Sequence, residues 1–314
     1  MTTTSSTVPA ARSGAPAWIW LGTALFAHTA WGAYPVLARY LQTVSHLPTM
    51  AMLALGNFIA LAIYAPYALR RVDRRFLSSR VIWAFTLVVV VRAITNVLAA
   101  RFTLAIYVQL ITLMTPLLVA LLSAGLFREK LPPLTWPVIG LSLLGALLTM
   151  SSEIGAAGLR LALTQGDMLG IAMALASAVC LSVYMILVPR TVKAAVSSEA
   201  VLLAQLTALS ATSGALSLLL REDWGQYARI SPADWAVFCA FVVFVLLGAN
   251  LGQITALRRL GAPLVSSTMA WRLVATIALA ALLLGERLTS LWQAAGAAVV
   301  LASITVYLWR QRPR

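Results

Sequence analysis

The chain has 314 residues, 61% of them hydrophobic and only 10% charged, and a formal net charge of +14, with a mean hydropathy of +0.91. A soluble chain holds about 45–50% apolar and about 25% charged residues, so this composition excludes a cytosolic enzyme and a secreted module and leaves a multi-spanning membrane protein. The basic residues flank apolar runs rather than gathering in a groove, which excludes a nucleic-acid binder and fits orientation in a membrane.

Residues 1–17 are polar, rich in Ser, Thr, Ala and Pro, and read as a disordered cytoplasmic tail. Ten apolar runs follow, at 18–38, 49–69, 81–100, 102–127, 131–152, 168–189, 200–220, 235–257, 260–285 and 288–309. A span needs about 20 residues, and a helix satisfies its own backbone in lipid. The first run is too long for a signal peptide's apolar core of roughly 7–15 residues and reads as an uncleaved span. It holds His28 and Trp31. The third holds Arg92, with Asn96 one turn on; the sixth, Tyr184; the eighth, Asn250 and Gln253; the ninth, Trp271 and Arg272. Cys180 and Cys239 sit inside runs without metal-ligand spacing and read as buried hydrophobes.

Loop charges test the count. With a cytoplasmic N-terminus, 15 basic residues fall in inside segments, five of them in the 70–80 loop, and six fall outside. This obeys the positive-inside rule with both termini cytoplasmic. Shifting the chain by 157 residues aligns Phe127-Arg128-Glu129-Lys130-Leu131 with Leu284-Gly285-Glu286-Arg287-Leu288, each between the fourth and fifth span of its half. Five spans per half force equivalent segments into opposite orientations, an arrangement that puts a transporter's substrate site near the midplane. The fold expected is all-α and integral to the membrane: ten transmembrane helices in two inverted five-helix repeats, 18–152 and 166–309.

Leu284-Gly285-Glu286-Arg287-Leu288-Thr289, Gly166-Asp167 and Trp31-Gly32 resemble the signatures of the drug/metabolite transporter superfamily and its EamA-type exporters. The resemblance covers nearly the whole chain. It implies two five-helix halves, transport rather than catalysis, and a central cavity lined by the helix that carries Arg272. Thr115-Pro116 and Trp271-Arg272-Leu273 depart from the Glu-Pro usual at those places, so the family's substrates do not carry over.

All nine acids lie outside the runs or at their edges, so the intramembrane carboxylate common in pumps and symporters is missing. His28 is the remaining candidate for proton coupling. Arg92 and Arg272 fall near mid-span, where an arginine costs at least about 2.5–3.5 kcal/mol on insertion scales, and no buried acid is on offer to either. A tryptophan beside such an arginine can stack a planar group while the guanidinium holds a carboxylate or phosphate. The candidate substrate residues are therefore Trp31, Arg92, Asn96, Tyr184, Asn250, Trp271 and Arg272. The reading is a secondary transporter, an exporter, of an amino-acid-like or other carboxylated solute, aromatic ones included, in the inner (plasma) membrane. The alternatives are an importer or exchanger of a vitamin-like or phosphorylated anion and, in another class, an interaction subunit or lipid-linked-sugar flippase component. No catalytic motif, metal or cofactor is expected. The partners are a small-molecule substrate and membrane lipid, with the chain a monomer or homodimer and no nucleic acid involved.

Overall fold

Apolar runs punctuated by proline, glycine and arginine become helices here. The computed structural model describes residues 17–127, 134–155, 158–161, 163–193, 196–260 and 268–310. Its helices are α1 (Ala17–Thr43), α2 (Thr49–Ala68), α3 (Arg80–Phe102), α4 (Ala105–Leu113), α5 (Thr115–Phe127), α6 (Thr135–Thr149), α7 (Gln165–Lys193), α8 (Ser198–Leu219), α9 (Pro232–Ala240), α10 (Asn250–Leu260), α11 (Trp271–Leu283) and α12 (Leu291–Arg310). A π-helical stretch, Phe241–Ala249, joins α9 to α10. Among the described residues, seven helices are long and apolar enough to cross a membrane by length and composition: Thr49–Ala68, Arg80–Phe102, Ala105–Leu126, Gln165–Leu187, Ser198–Leu219, Pro232–Gln253 and Leu291–Arg310. α6 and α11 are shorter apolar helices, and α1, with 27 residues, outruns the 18–38 expected for it. Glu129 and the tail before residue 17 lie outside the described residues.

Local chemistry sets the boundaries. Ser197 caps α8 by accepting from the Ala200 N–H. Ser231 and Asp234 form a reciprocal capping box at the start of α9, with Pro232 in the first turn. Pro116 follows the break between α4 and α5 at Met114, where a proline cannot donate to the helix ladder. The architecture is all-helical, with one short strand pairing among the described residues. Ser151–Gly155 pairs antiparallel with Gly158–Leu161, in the polar, glycine-flanked connection between the halves. With no apolar run of helical length there, the backbone bonds across two strands instead.

Contacts fix how the helices run. Thr135 meets Tyr307, Ser142 meets Ser303, and Thr149 reaches the Gln293 carbonyl. One number rises as the other falls, so α6 and α12 are antiparallel. The same test makes α3 and α7 antiparallel (Asn96 with Ser177, Thr103 with Asp167). It does so again for α2 and α8 (Ala51 with Glu222, just past α8, and Ala54 with Ser210). α1 and α11 run parallel, with Thr29 on Trp271 and Gly32 on Thr276.

Small residues allow these approaches. A side chain on Gly296 would meet the Gly145 carbonyl at 2.5 Å and the Thr149 nitrogen at 2.6 Å, whereas Gly22 has nothing within 4 Å. Gly296→Val is therefore expected to destabilise the protein by about 1–3 kcal/mol, the usual cost of overpacking. Gly22→Ala should leave the melting midpoint in detergent unchanged or slightly raised. Equal midpoints for Gly296→Val and the parent would contradict this packing.

The exterior is apolar. Leu141, Leu144, Leu147, Leu218, Leu282 and Leu291 are all exposed, which water would not tolerate over such an area and lipid does. The buried interior holds the polar residues His28, Asn57, Gln109, Gln205, Asn250 and Arg272.

Candidate functional site

Helical phase gathers these polar groups. On α1, His28, Trp31 and Pro35 recur at three- and four-residue steps and share a face; on α3, Arg92 and Asn96 do the same. Two small cavities of about 30 and 20 Å³ lie here, and their common wall is Trp31, Tyr34, Arg92 and Asn96. Asn57, Gln205 and Asn250 line the first, and Gln109, Thr112 and Arg272 the second. Among the described residues lining either cavity, none is acidic.

Arg272 is buried, 4% exposed. Its Nε donates to His28 Nδ1 at 3.0 Å and its Nη2 to Gln253 Oε1 at 3.2 Å, both neutral acceptors. Because a guanidinium only donates, His28 Nδ1 must accept, which puts a neutral imidazole's proton on Nε2. Arg92 lies with its guanidinium carbon 5.2 Å from the Trp31 ring centroid and 5.7 Å from that of Tyr184, and Arg272 lies 5.8 Å from Trp31. One indole thus faces two guanidiniums. Asn96 donates to the Ser177 hydroxyl, which in turn donates to the Arg92 carbonyl, holding α3 in register against α7. Among the described residues Trp31 Nε1, Arg92 Nε and Gln109 Nε2 are buried donors without a hydrogen-bond partner, and Asn96 Oδ1 is a buried acceptor without one.

The structure brings together His28, Trp31, Arg92, Asn96 and Arg272, with Asn250 on the far wall of the larger cavity donating to the Leu246 carbonyl. Tyr184 stands behind Arg92, packed on Phe85, and lines neither cavity. Trp271 stands apart from the two cavities. It is 45% exposed, donates its indole N–H to Thr29 and lines neither cavity. Successive helical residues point about 100° apart, so the neighbour of a cavity-facing Arg272 turns away from it. Tyr34 and Gln109 were not singled out from the sequence. Tyr34 sits three residues after Trp31 on the same face, and Gln109 interrupts an apolar run; either signal would have found them.

A second polar cluster lies where α1 ends. Arg39 Nε is 2.7 Å from Glu286 Oε1, and Arg39 Nη1 donates to the carbonyls of Ala100, Arg101 and Thr103 at the end of α3. Glu286 Oε2 accepts the Ala105 N–H that opens α4. One ion pair therefore satisfies both sides of the α3–α4 corner, and the Thr103 hydroxyl donates onward to Asp167. Burial pushes the Glu286 carboxyl above its ordinary pKa, against the opposing pull of Arg39 and the α4 amides. A raised folded-state pKa gives stability that is present while the carboxyl is protonated and is lost as pH rises through that pKa. Glu286→Gln is thus expected to flatten part of any fall in melting midpoint as pH rises above the ordinary carboxylate range. A steeper fall in the variant would reverse the sign.

A family model described as "EamA-like transporter family" matches residues 18–151 and 168–309. A solved crystal structure superposes with a TM-score of 0.59 at 20% identity, covering 93% of this chain and 99% of the other, a likeness of fold. No curated protein gives a significant match.

Proposed function

The chain belongs to the EamA-like transporter family, and on that premise we propose that it is a secondary transporter carrying a small organic anion through the Trp31–Arg92–Arg272 cavity by alternating access. The observation that carries this reading is the pair of guanidiniums on one indole, beside a cavity in which none of the described lining residues is acidic. An arginine at that depth is costly unless a function retains it. Net export is the expected direction, in keeping with the exporters the chain resembles.

The helix directions support ten spans in two inverted halves, 18–152 and 166–309. Exchanging the halves turns the pairing of α1 with α11 into that of α7 with α4–α5, which also touch. It maps the α2–α8 and α6–α12 pairs onto themselves. In an alternating ten-span chain the first and ninth spans run parallel, and the second and seventh antiparallel, as the contacts above do. The charge bias then puts both termini in the cytoplasm. A cysteine placed at Ser78 should resist membrane-impermeant labelling of intact cells; ready labelling from outside would overturn that orientation.

His28 is our candidate for proton coupling, since a proton on Nδ1 would displace the Arg272 N–H it accepts. The flippase alternative finds little support. The lateral groove by Phe76, Trp83 and Leu203 has an apolar lining and shares no residue with the two cavities. Metabolite profiling of cells with and without the protein tests the function. A soluble organic anion should rise outside and fall inside expressing cells; unchanged anions beside a changed lipid-linked sugar would favour the flippase reading.

A further inference from the structure

Charge and donor counting at this cavity carry the transporter reading one step further. The Arg92 and Arg272 guanidinium carbons lie 5.2 and 5.8 Å from the same indole centroid, so they are no more than about 11 Å apart, the sum of the two. Arg272 is held by His28 and Gln253, neither of which carries a negative charge here. The aromatic faces of Trp31 and Tyr184 stand against Arg92. The cavity therefore presents two positive charges, and none of the described residues lining it is an acid.

Hydrogen-bonding capacity is lopsided in the same sense. Trp31 Nε1, Arg92 Nε and Gln109 Nε2 are buried donors without a partner, against one such acceptor, Asn96 Oδ1. Gln109 is itself only 2% exposed. Buried polar groups are ordinarily paired, so several unmatched donors in one place mark where a ligand's acceptors belong. A carboxylate has two acceptor oxygens and one charge. Bound at one guanidinium, it would leave the other uncompensated in a low-dielectric setting, where an unpaired charge is expensive. A ligand with two negative charges meets both guanidiniums and supplies enough oxygens for the remaining donors.

We infer that the cavity selects an organic dianion, with a doubly charged phosphoryl group shared between Arg92 and Arg272 or one carboxylate on each. This rests on the anion-transporter reading above. The shared chemistry is double negative charge, which a dicarboxylate and a phosphate monoester both supply.

The test is protection of the purified full-length protein against thermal unfolding in detergent. The probes are phthalate and succinate as dicarboxylates, phenyl phosphate as a monoester, benzoate as a monocarboxylate and benzamide as a neutral control. At least one dianion should protect at a concentration about tenfold or more below that of benzoate, since each further charge-assisted contact brings about that factor. Which dianion protects best tells the two sources apart. Arg92→Gln and Arg272→Gln should each bring the best dianion close to benzoate, while Arg92→Lys, which keeps the charge, should retain most of the preference. Benzoate protecting as well as every dianion, or a dianion preference undiminished in both Gln variants, would overturn the inference and leave an anion transporter standing. Protection by benzamide alone would overturn the anion reading with it. If a Gln variant does not fold, the Lys variant and the parent's own ratio still decide the matter.

Discussion

Arg272→Gln is expected to lower transport of an anionic substrate by roughly 10- to 150-fold while the protein still folds and inserts. A hydrogen bond to a charged group contributes about 1.5–3 kcal/mol, which is that range in affinity. Insertion should not suffer, because removing a mid-span arginine relieves a cost of about 2.5–3.5 kcal/mol. The competing view is that Arg272 is a strut, since it ties α1 through His28 and α10 through Gln253. A strut predicts lost expression and an equal loss for anionic and neutral solutes. Arg272→Lys separates the two further. It keeps the charge but not the planar fork, so partial recovery of anion transport is expected. A folded Arg272→Gln protein that transports normally would end the assignment.

Trp31→Leu should be nearly as damaging, for a different reason. Its indole faces both guanidiniums, and each desolvated cation–π contact contributes about 2 kcal/mol. Losing the face frees two charged side chains at once, so transport is expected to fall by about 10- to 100-fold, with some loss of thermal stability. Trp31→Phe keeps a face and removes the unpartnered Nε1–H. It should restore stability but only part of the transport rate. Full activity in Trp31→Phe would show that the indole N–H touches no ligand, and full activity in Trp31→Leu would remove Trp31 from the site altogether.

These residues were legible in the sequence because hydrocarbon makes polarity conspicuous. Arg92 and Arg272 stand out in apolar runs whatever the tertiary arrangement, and phase alone puts Asn96 with Arg92. Partnership across the bundle was not legible. Trp271 looked like the natural companion of Arg272, being adjacent in sequence, yet a helix turns adjacent residues to different sides. The companion is Trp31, from the other end of the chain. Arg39 and Glu286 are likewise remote in sequence, and nothing local says that they would close the α3–α4 corner together. Glu286 was readable as part of a recurring signature; that it caps a helix of the other half was not. The pairing of Ser151–Gly155 with Gly158–Leu161 escaped because so short a connection carries no periodicity to read.

The most direct test is the structure of the protein bound to its best protecting anion. The account expects the ligand's negative charges within hydrogen-bonding distance of the Arg92 and Arg272 guanidiniums, with Trp31 against the ligand and Trp271 still on Thr29. A ligand seated in the apolar groove beside Trp83 and Leu203, or one contacting neither arginine, would contradict it.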